Sequence, residues 1–328
     1  MALLLSRQDV QKVLTMADCV AAVEKAFGEL ARGSAVMPQR AAIKVAAHRG
    51  LFLAMPAYIG GDDDALGIKA VTVYPDNPAQ HKLPTTLGTL LLCDPATGKV
   101  VAIMDAGYLT AVRTGAASGV ATKHLARPDA AVCVVFGAGV QARQQLAAVH
   151  LVRPLRRVQV LDTVAEARDK FAAEMSAALG VPVAPAADAE AAVRGADIVV
   201  TASSSRTPVF DGRWLRPGAH INNIGSHSPD ARELDTETVR RAKYVADHRE
   251  ASLAEAGDLL IPIKEGAVTA DHIHASLGEI VIGAKPGRTS PEEITLFKSC
   301  GLAVQDVATA KAVYAAARAR GIGVEVEL

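Results

Sequence analysis

A short apolar run that ends in a glycine turn constrains this chain more than any other feature: Val132-Cys133-Val134-Val135-Phe136 leads straight into Gly137-Ala138-Gly139-Val140-Gln141-Ala142. Apolar residues without alternation mark a strand buried on both faces, the signature of a parallel sheet. Gly137 permits a tight bend, Gly139 lets backbone approach a pyrophosphate, and Ala142 allows the next helix to pack closely on the strand. The helix N-terminus then offers N–H groups and a positive dipole end to phosphate. Glycine turns after strands are common, so a plain strand-to-helix connection is the alternative and context decides.

The context is a second apolar strand, Val158-Gln159-Val160-Leu161, closing on Asp162. That acid lies roughly 20 residues beyond the fingerprint, the spacing at which a carboxylate takes both ribose hydroxyls of a dinucleotide. The same charge repels a 2′-phosphate, so Asp162 favours NAD(H) over NADP(H). Arg156 and Arg157 bring positive charge nearby, but they precede the strand.

With 328 residues, half of them apolar, the chain has room for two domains and a sizeable core. Lysine plus arginine and aspartate plus glutamate number 35 each, so no net field draws nucleic acid or an anionic membrane, and a small-molecule ligand is expected. Cys19, Cys93, Cys133 and Cys300 form no C-x-x-C pair, so neither a disulfide framework nor a metal site is expected. The start, Met1-Ala2-Leu3-Leu4-Leu5-Ser6-Arg7, lacks the basic segment of a signal peptide, and no apolar run is long enough to span a bilayer. A cytoplasmic protein is expected.

In chain order, residues 3–5 read as a strand, and 7–14 and 16–32 as helices, the second with Val20, Val23, Ala26, Phe27 and Leu30 on one face. Strand-like runs begin at Arg40, Gly50, Leu66, Thr86 and Lys99, separated by turn clusters such as 60–64 and 94–98, the pattern of a largely antiparallel sheet. An alanine- and glycine-rich helix over 106–125 leads to the fingerprint. Strands at 132–136, 157–162, 181–184, 197–202 and 219–224 then alternate with helices at 140–150, 164–179 and 188–194. The strand at 197–202 ends in small residues, Ala202 and Ser203 among them, at the sheet edge where ligands bind. A last helix, 303–320, and a strand within 322–327 are expected to return to the first domain. The fold class is therefore α/β: a Rossmann domain over 119–302, with an α+β, largely antiparallel domain from 1–118 and 303–328.

Six stretches in one order carry a resemblance over nearly the whole chain. They are 37–40 (Met-Pro-Gln-Arg), 67–77, 83–88, 105–118, the fingerprint at 137–142, and 283–290. The chain resembles the ornithine cyclodeaminase/μ-crystallin family, which also contains archaeal-type alanine dehydrogenase and the cyclic ketimine reductases. The resemblance implies a homodimer formed through the β-rich domain and an active site in the cleft between domains. It places Arg40, Lys69 and Arg113 at substrate-site positions, and the chemistry agrees, since two guanidiniums and an ammonium hold an α-carboxylate. Taken singly, each could be a solvated surface charge. Lys69 is the exception, because Ile68, Ala70 and Val71 flank it in a strand where an unpaired inward charge is expensive. Thr114 matches a phosphate contact, with a plain helix hydroxyl as its alternative. The expected cofactor contacts are thus Thr114, Gly137, Gly139, Val140, Gln141, Asp162, Ala202, Ser203 and Ser226.

One departure shapes the expected reaction. Ornithine cyclodeaminases and archaeal alanine dehydrogenases typically carry an aspartate in the loop after the strand 219–224, and here that position is His227. The Gly225-to-Glu233 segment is more like μ-crystallin and the pyrroline-2-carboxylate reductases, and Asp230 is displaced by three residues. The resemblance implies NAD(P)H-dependent reduction of Δ1-pyrroline-2-carboxylate or Δ1-piperideine-2-carboxylate, with Lys69 and His227 as the catalytic pair. His227 packing in its loop without a chemical role stays open. The alternatives are ornithine cyclodeamination, alanine dehydrogenation, and a μ-crystallin-like protein that only binds. A carboxylate clamp argues against the last, since a pure binder does not need one.

Overall fold

The protein, described by a computed structural model over residues 1–61 and 63–328, divides into two compact units, Met1–Arg113 with Leu302–Leu328, and Thr114–Gly301. Asp62 of the expected 60–64 turn lies outside the described residues.

The chain opens on β1 (Ala2–Leu5), α1 (Arg7–Val13) and α2 (Met16–Arg32). Ser6 and Asp9 cap α1 reciprocally, and Thr15 accepts the Asp18 N–H to cap α2. Next come β2 (Ala35–Val36), β3 (Ala41–Val45), β4 (Gly50–Ile59), β5 (Ala65–Val73), α3 (Asn77–His81), β6 (Thr86–Cys93), β7 (Val100–Asp105) and α4 (Ala106–Leu125). The expected elements of this half form with boundary shifts of a residue or so. The short pieces β2 and α3 are additions.

The second unit continues with β8 (Val132–Phe136), α5 (Val140–Val152), β9 (Arg157–Leu161), α6 (Ala165–Leu179), β10 (Val183–Pro185), α7 (Ala189–Arg194), β11 (Ile198–Thr201) and β12 (His220–Asn223). It is completed by α8 (Thr236–Arg241), β13 (Lys243–Ala246), α9 (Arg249–Glu255), α10 (Gly257–Lys264), β14 (Ile273–Ser276), α11 (Leu277–Val281) and β15 (Thr295–Lys298). Its strands lie in the order β10-β9-β8-β11-β12-β15-β13-β14, and all neighbours are parallel. Cys133 and Val135 pack into one apolar cluster with Leu146 and Phe171, while Val134 and Phe136 pack into another with Val199 and Ile221. Both faces of β8 are therefore covered, which is why its sequence shows no alternation. The strand order reverses at β8, between β9 and β11, so the glycine turn emerges at the crevice where open α/β sheets bind ligands.

The chain returns to the first unit through α12 (Ala303–Arg320) and ends on β16 (Val324–Val326). The first unit's sheet runs β16-β1-β7-β6-β5-β4-β2, with β3 beside β4, and among the described residues only the β1–β7 pair is parallel. Strand alternation divides it into two faces. Leu53, Met55, Ala57, Val71, Leu90, Leu92, Ala102 and Met104 are buried on the face against which α2 and α12 pack. Pro56, Ile68, Leu91 and Ile103 form a row across β4, β5, β6 and β7 on the opposite face and are only partly buried. Among the described residues no helix is long and apolar enough to cross a membrane.

Candidate active site

Lys69 stands on the helix-covered face of β5, in register with Met55 on β4 and Leu90 on β6, and is only 1% exposed. An ammonium inside an apolar row needs a counter-charge, and α12 brings one. Asp306, in the first turn of α12 where the helix dipole favours an anion, places Oδ2 2.7 Å from Lys69 Nζ. Its Oδ1 accepts from Arg113 Nε at 2.8 Å, and Arg113 Nη1 donates to Gln305 Oε1 at 2.8 Å. Burial pushes the Lys69 pKa down to about 8; Asp306 opposes this, while Arg113 and Arg40 push the same way as burial. The three cations expected from the sequence therefore come together within the first unit. Lys69 and Arg113 both pair with Asp306, two cations to one buried carboxylate, a set of charges suited to a carboxylate ligand.

In the second unit the glycine turn has two distinct constraints. Gly137 has φ 103°, and a Cβ there would lie 2.5 Å from the Ala202 carbonyl oxygen, so this position is closed to any side chain. Gly139 is the N-cap of α5 and supplies no side-chain cap, and a Cβ added to it would meet nothing within 4 Å. Open space in front of an uncapped first turn is what a pyrophosphate requires, so these residues fit a dinucleotide. Val140 follows at 60% exposed, with Gln141 half-buried beside it. Asp162, at the carboxyl end of β9, accepts from the backbone N–H of Ala138 at 2.7 Å and of Val164 at 2.8 Å. Arg143 donates to the Gly139 carbonyl at 3.1 Å and is held by Glu174 at 2.9 Å. Thr114, buried at the start of the unit, has its carbonyl fixed by Gln145 Nε2 at 3.1 Å.

The loops after β11 and β12 are organised by a residue that the sequence does not single out. Glu233, fully buried, accepts from Ser203 N at 2.7 Å, Ser203 Oγ at 2.6 Å, Asn223 Nδ2 at 3.1 Å and Gly225 N at 2.7 Å. Burial raises its pKa, against the pull of Ser203 and Lys298. Its own N–H donates to Asp258, which pairs with Lys298 at 2.8 Å, and Lys298 also donates to the Ser226 carbonyl. Ser203 and Ser226 thus sit at the carboxyl edge of the sheet, but their hydroxyls serve the loop frame, that of Ser226 donating to the Ala231 carbonyl at 2.6 Å. Ala202 packs its carbonyl against Gly137. His227 is exposed in the same loop. Asp230 is exposed and turned to Ser228 and, at 2.5 Å, to Arg206, which together hold its carboxyl below the usual range.

Residues 1–321 match the family described as "Ornithine cyclodeaminase/mu-crystallin family". A Δ1-pyrroline-2-carboxylate reductase of Bacillus cereus is 40% identical over 326 residues, 99% of this chain and 99% of that one. Among solved structures, the Thermococcus litoralis Δ1-pyrroline-2-carboxylate reductase in complex with NADH and L-proline superposes with a TM-score of 0.95 at 48% identity, covering 99% of this chain and 100% of that one. An archaeal alanine dehydrogenase dimer with bound NAD gives a TM-score of 0.94 at 38% identity, covering 100% of this chain and 99% of that one.

Proposed function

Since the chain belongs to the ornithine cyclodeaminase/μ-crystallin family, we propose that it is an NAD(P)H-dependent oxidoreductase reducing a cyclic ketimine carboxylate, Δ1-pyrroline-2-carboxylate or Δ1-piperideine-2-carboxylate, to the L-imino acid. The reading is carried by full-length likeness to Δ1-pyrroline-2-carboxylate reductases. The loop 225–233 agrees with it, because Asp230, the acid three residues after His227 in sequence, is engaged by Arg206 and Ser228 rather than placed to take a proton from an amine.

Arg113 and Arg40 take the substrate carboxylate, which fixes the ring, and Lys69 gives a proton to the imine nitrogen, which makes the adjoining carbon electrophilic. Bound NADH supplies a hydride to that carbon. One proton and one hydride convert C=N to CH–NH, and Lys69 recovers its proton from solvent. His227, the other residue of the expected catalytic pair, is a candidate hydrogen-bond donor in the reaction. Asp162 makes NADH the better reductant by taking the ribose hydroxyls and repelling a 2′-phosphate.

We further propose a homodimer through the first unit. Its partly exposed row Pro56, Ile68, Leu91 and Ile103 continues to Leu4, 44% exposed, and Ile43 and Leu87 are 61% and 40% exposed on the same unit. Alanine dehydrogenation is the second reading, favoured by likeness to the archaeal enzyme and opposed by His227 in the aspartate position. Mixing the purified protein with NADH and Δ1-pyrroline-2-carboxylate should consume NADH and form L-proline one for one. NADH left unconsumed with both imines would remove the reading.

A further inference from the structure

Asp306 is a carboxylate that Lys69 and Arg113 share: it lies 2.7 Å from Lys69 Nζ and 2.8 Å from Arg113 Nε, and it is fully buried. From this geometry we infer that Asp306 is a positioning residue for the reaction, holding Lys69 and Arg113 at a fixed separation and keeping the Lys69 ammonium protonated until it gives its proton to substrate. The inference rests on the proposed imine reduction for the destination of that proton. The arrangement of charge around Lys69 does not depend on it.

The fold is arranged to bring Asp306 there. A Cβ on Gly67, two residues before Lys69 on the same face, would come 3.3 Å from Val307 Cγ2 and 2.7 Å from the Leu91 carbonyl, so the missing side chain lets α12 lie close to β5. Gln305 Oε1 accepts both the Leu302 N–H at 3.3 Å and Arg113 Nη1 at 2.8 Å, tying the start of α12 to the guanidinium. Lys69 feels Asp306 from α12, Arg113 from α4 and Arg40 from the segment before β3. Asp306 also faces Cys19 on α2, whose thiol burial pushes up to about 12 and so keeps uncharged.

This placement has a chemical consequence. Arg113, Arg40 and burial all favour neutral lysine, and Asp306 opposes them. Without that carboxylate Lys69 would lose its proton to solvent at lower pH and have none to give. With it, the ammonium survives to about pH 8, and transfer to the nitrogen is still accessible because the lysine is not held as strongly as an exposed one.

The test compares Asp306→Asn and Asp306→Glu with the native protein by two readouts. In protein labelled with ¹³C-lysine, the Lys69 ε-carbon signal, assigned by its absence from Lys69→Arg, is titrated without substrate. Its midpoint is expected to fall by roughly one pH unit or more in Asp306→Asn. The alkaline limb of kcat/KM for NADH-dependent reduction of Δ1-pyrroline-2-carboxylate should move acidward with it, while the NADH dissociation constant stays within twofold. Asp306→Glu keeps the charge, so the limb should stay in place while kcat falls. An unmoved Lys69 midpoint in Asp306→Asn overturns the inference, whether or not the imine is a substrate. A moved midpoint without imine reduction leaves the role of Asp306 standing and removes the functional reading instead. Should Asp306→Asn not fold, native kcat in Asp306→Glu would overturn the positioning role, and a reduced kcat with an unmoved limb would support it.

Discussion

Asp162 accepts the Ala138 backbone N–H at 2.7 Å, so the carboxylate that closes β9 is built into the glycine turn that closes β8. The two features recognised separately in the sequence are one structural unit. Each oxygen of Asp162 already takes one backbone N–H and keeps a further lone pair, which suits a pair of ribose hydroxyls. Asp162→Ser should shift the NADH-to-NADPH ratio of kcat/KM towards NADPH by about tenfold or more, since a contact to a charged group contributes ~1.5–3 kcal/mol. Steady-state kinetics with both cofactors checks this. An unchanged ratio, or a native preference for NADPH, contradicts the assignment.

The two glycines of the turn should separate in their effects. Gly137→Ala forces a Cβ to 2.5 Å from the Ala202 carbonyl at φ 103°, so the protein should lose several degrees of Tm. Gly139→Ala meets no neighbour within 4 Å and has ordinary φ of −83°, so its Tm should hold. Its KM for NADH should nonetheless rise by roughly tenfold, because the methyl takes space reserved for phosphate. A calorimetric scan and an NADH titration on both variants decide the point; equal Tm losses would contradict it.

Arg113 commits Nε to Asp306 and Nη1 to Gln305, which aims the rest of its planar fork. Lysine keeps the charge and loses the fork. Arg113→Lys should lower kcat/KM for the imine by about a hundredfold or more, in line with roughly 2–5 kcal/mol for a buried hydrogen-bonded charge pair. Near-native kcat/KM on the carboxylate substrate would show that Arg113 is not part of the grip.

What can be read from the sequence, and what cannot, follows from the length and contrast of each element. The strand β8 and its turn are legible because five apolar residues and two glycines leave few conformations open. Lys69 is legible because a charge inside an apolar strand is expensive. The stretch from β12 to α12 is not, because β13, β14 and β15 have four residues each and the helices among them have at most eight, too few turns to show a period. Glu233, Asp258 and Lys298 escape notice for a related reason: each looks like an ordinary surface charge until the fold brings them together. Asp306 is hidden in α12, where alanines occupy buried and exposed positions alike and blur any contrast between a polar and an apolar face.

His220 gives the second unit a predictable acid sensitivity. Fully buried on β12, it lies 3.0 Å from Thr295 Oγ1 and 3.3 Å from Asn222 Oδ1, and burial, then Arg288, hold its pKa down to about 3. An unfolded histidine takes up its proton near pH ~6.5, so below that value the unfolded chain binds the extra proton first. Its stabilising contribution is therefore complete above about pH 6.5 and is lost progressively as pH falls towards 3. His220→Gln should flatten the fall in urea-unfolding free energy between about pH 6.5 and pH 5. The same slope in both proteins would contradict the assignment.

Cyclic imine reduction is proposed from full-length likeness to the Δ1-pyrroline-2-carboxylate reductases, and the absence of amine oxidation from the expected replacement of an aspartate base by His227. Initial rates of the unmodified protein should be measured side by side: NADH-dependent reduction of Δ1-pyrroline-2-carboxylate, and ammonia release from L-ornithine with NAD. The account predicts rapid reduction and ammonia release at least about a hundredfold slower, the loss typical of a missing general base. Conversion of ornithine to proline at a rate comparable with imine reduction would contradict it.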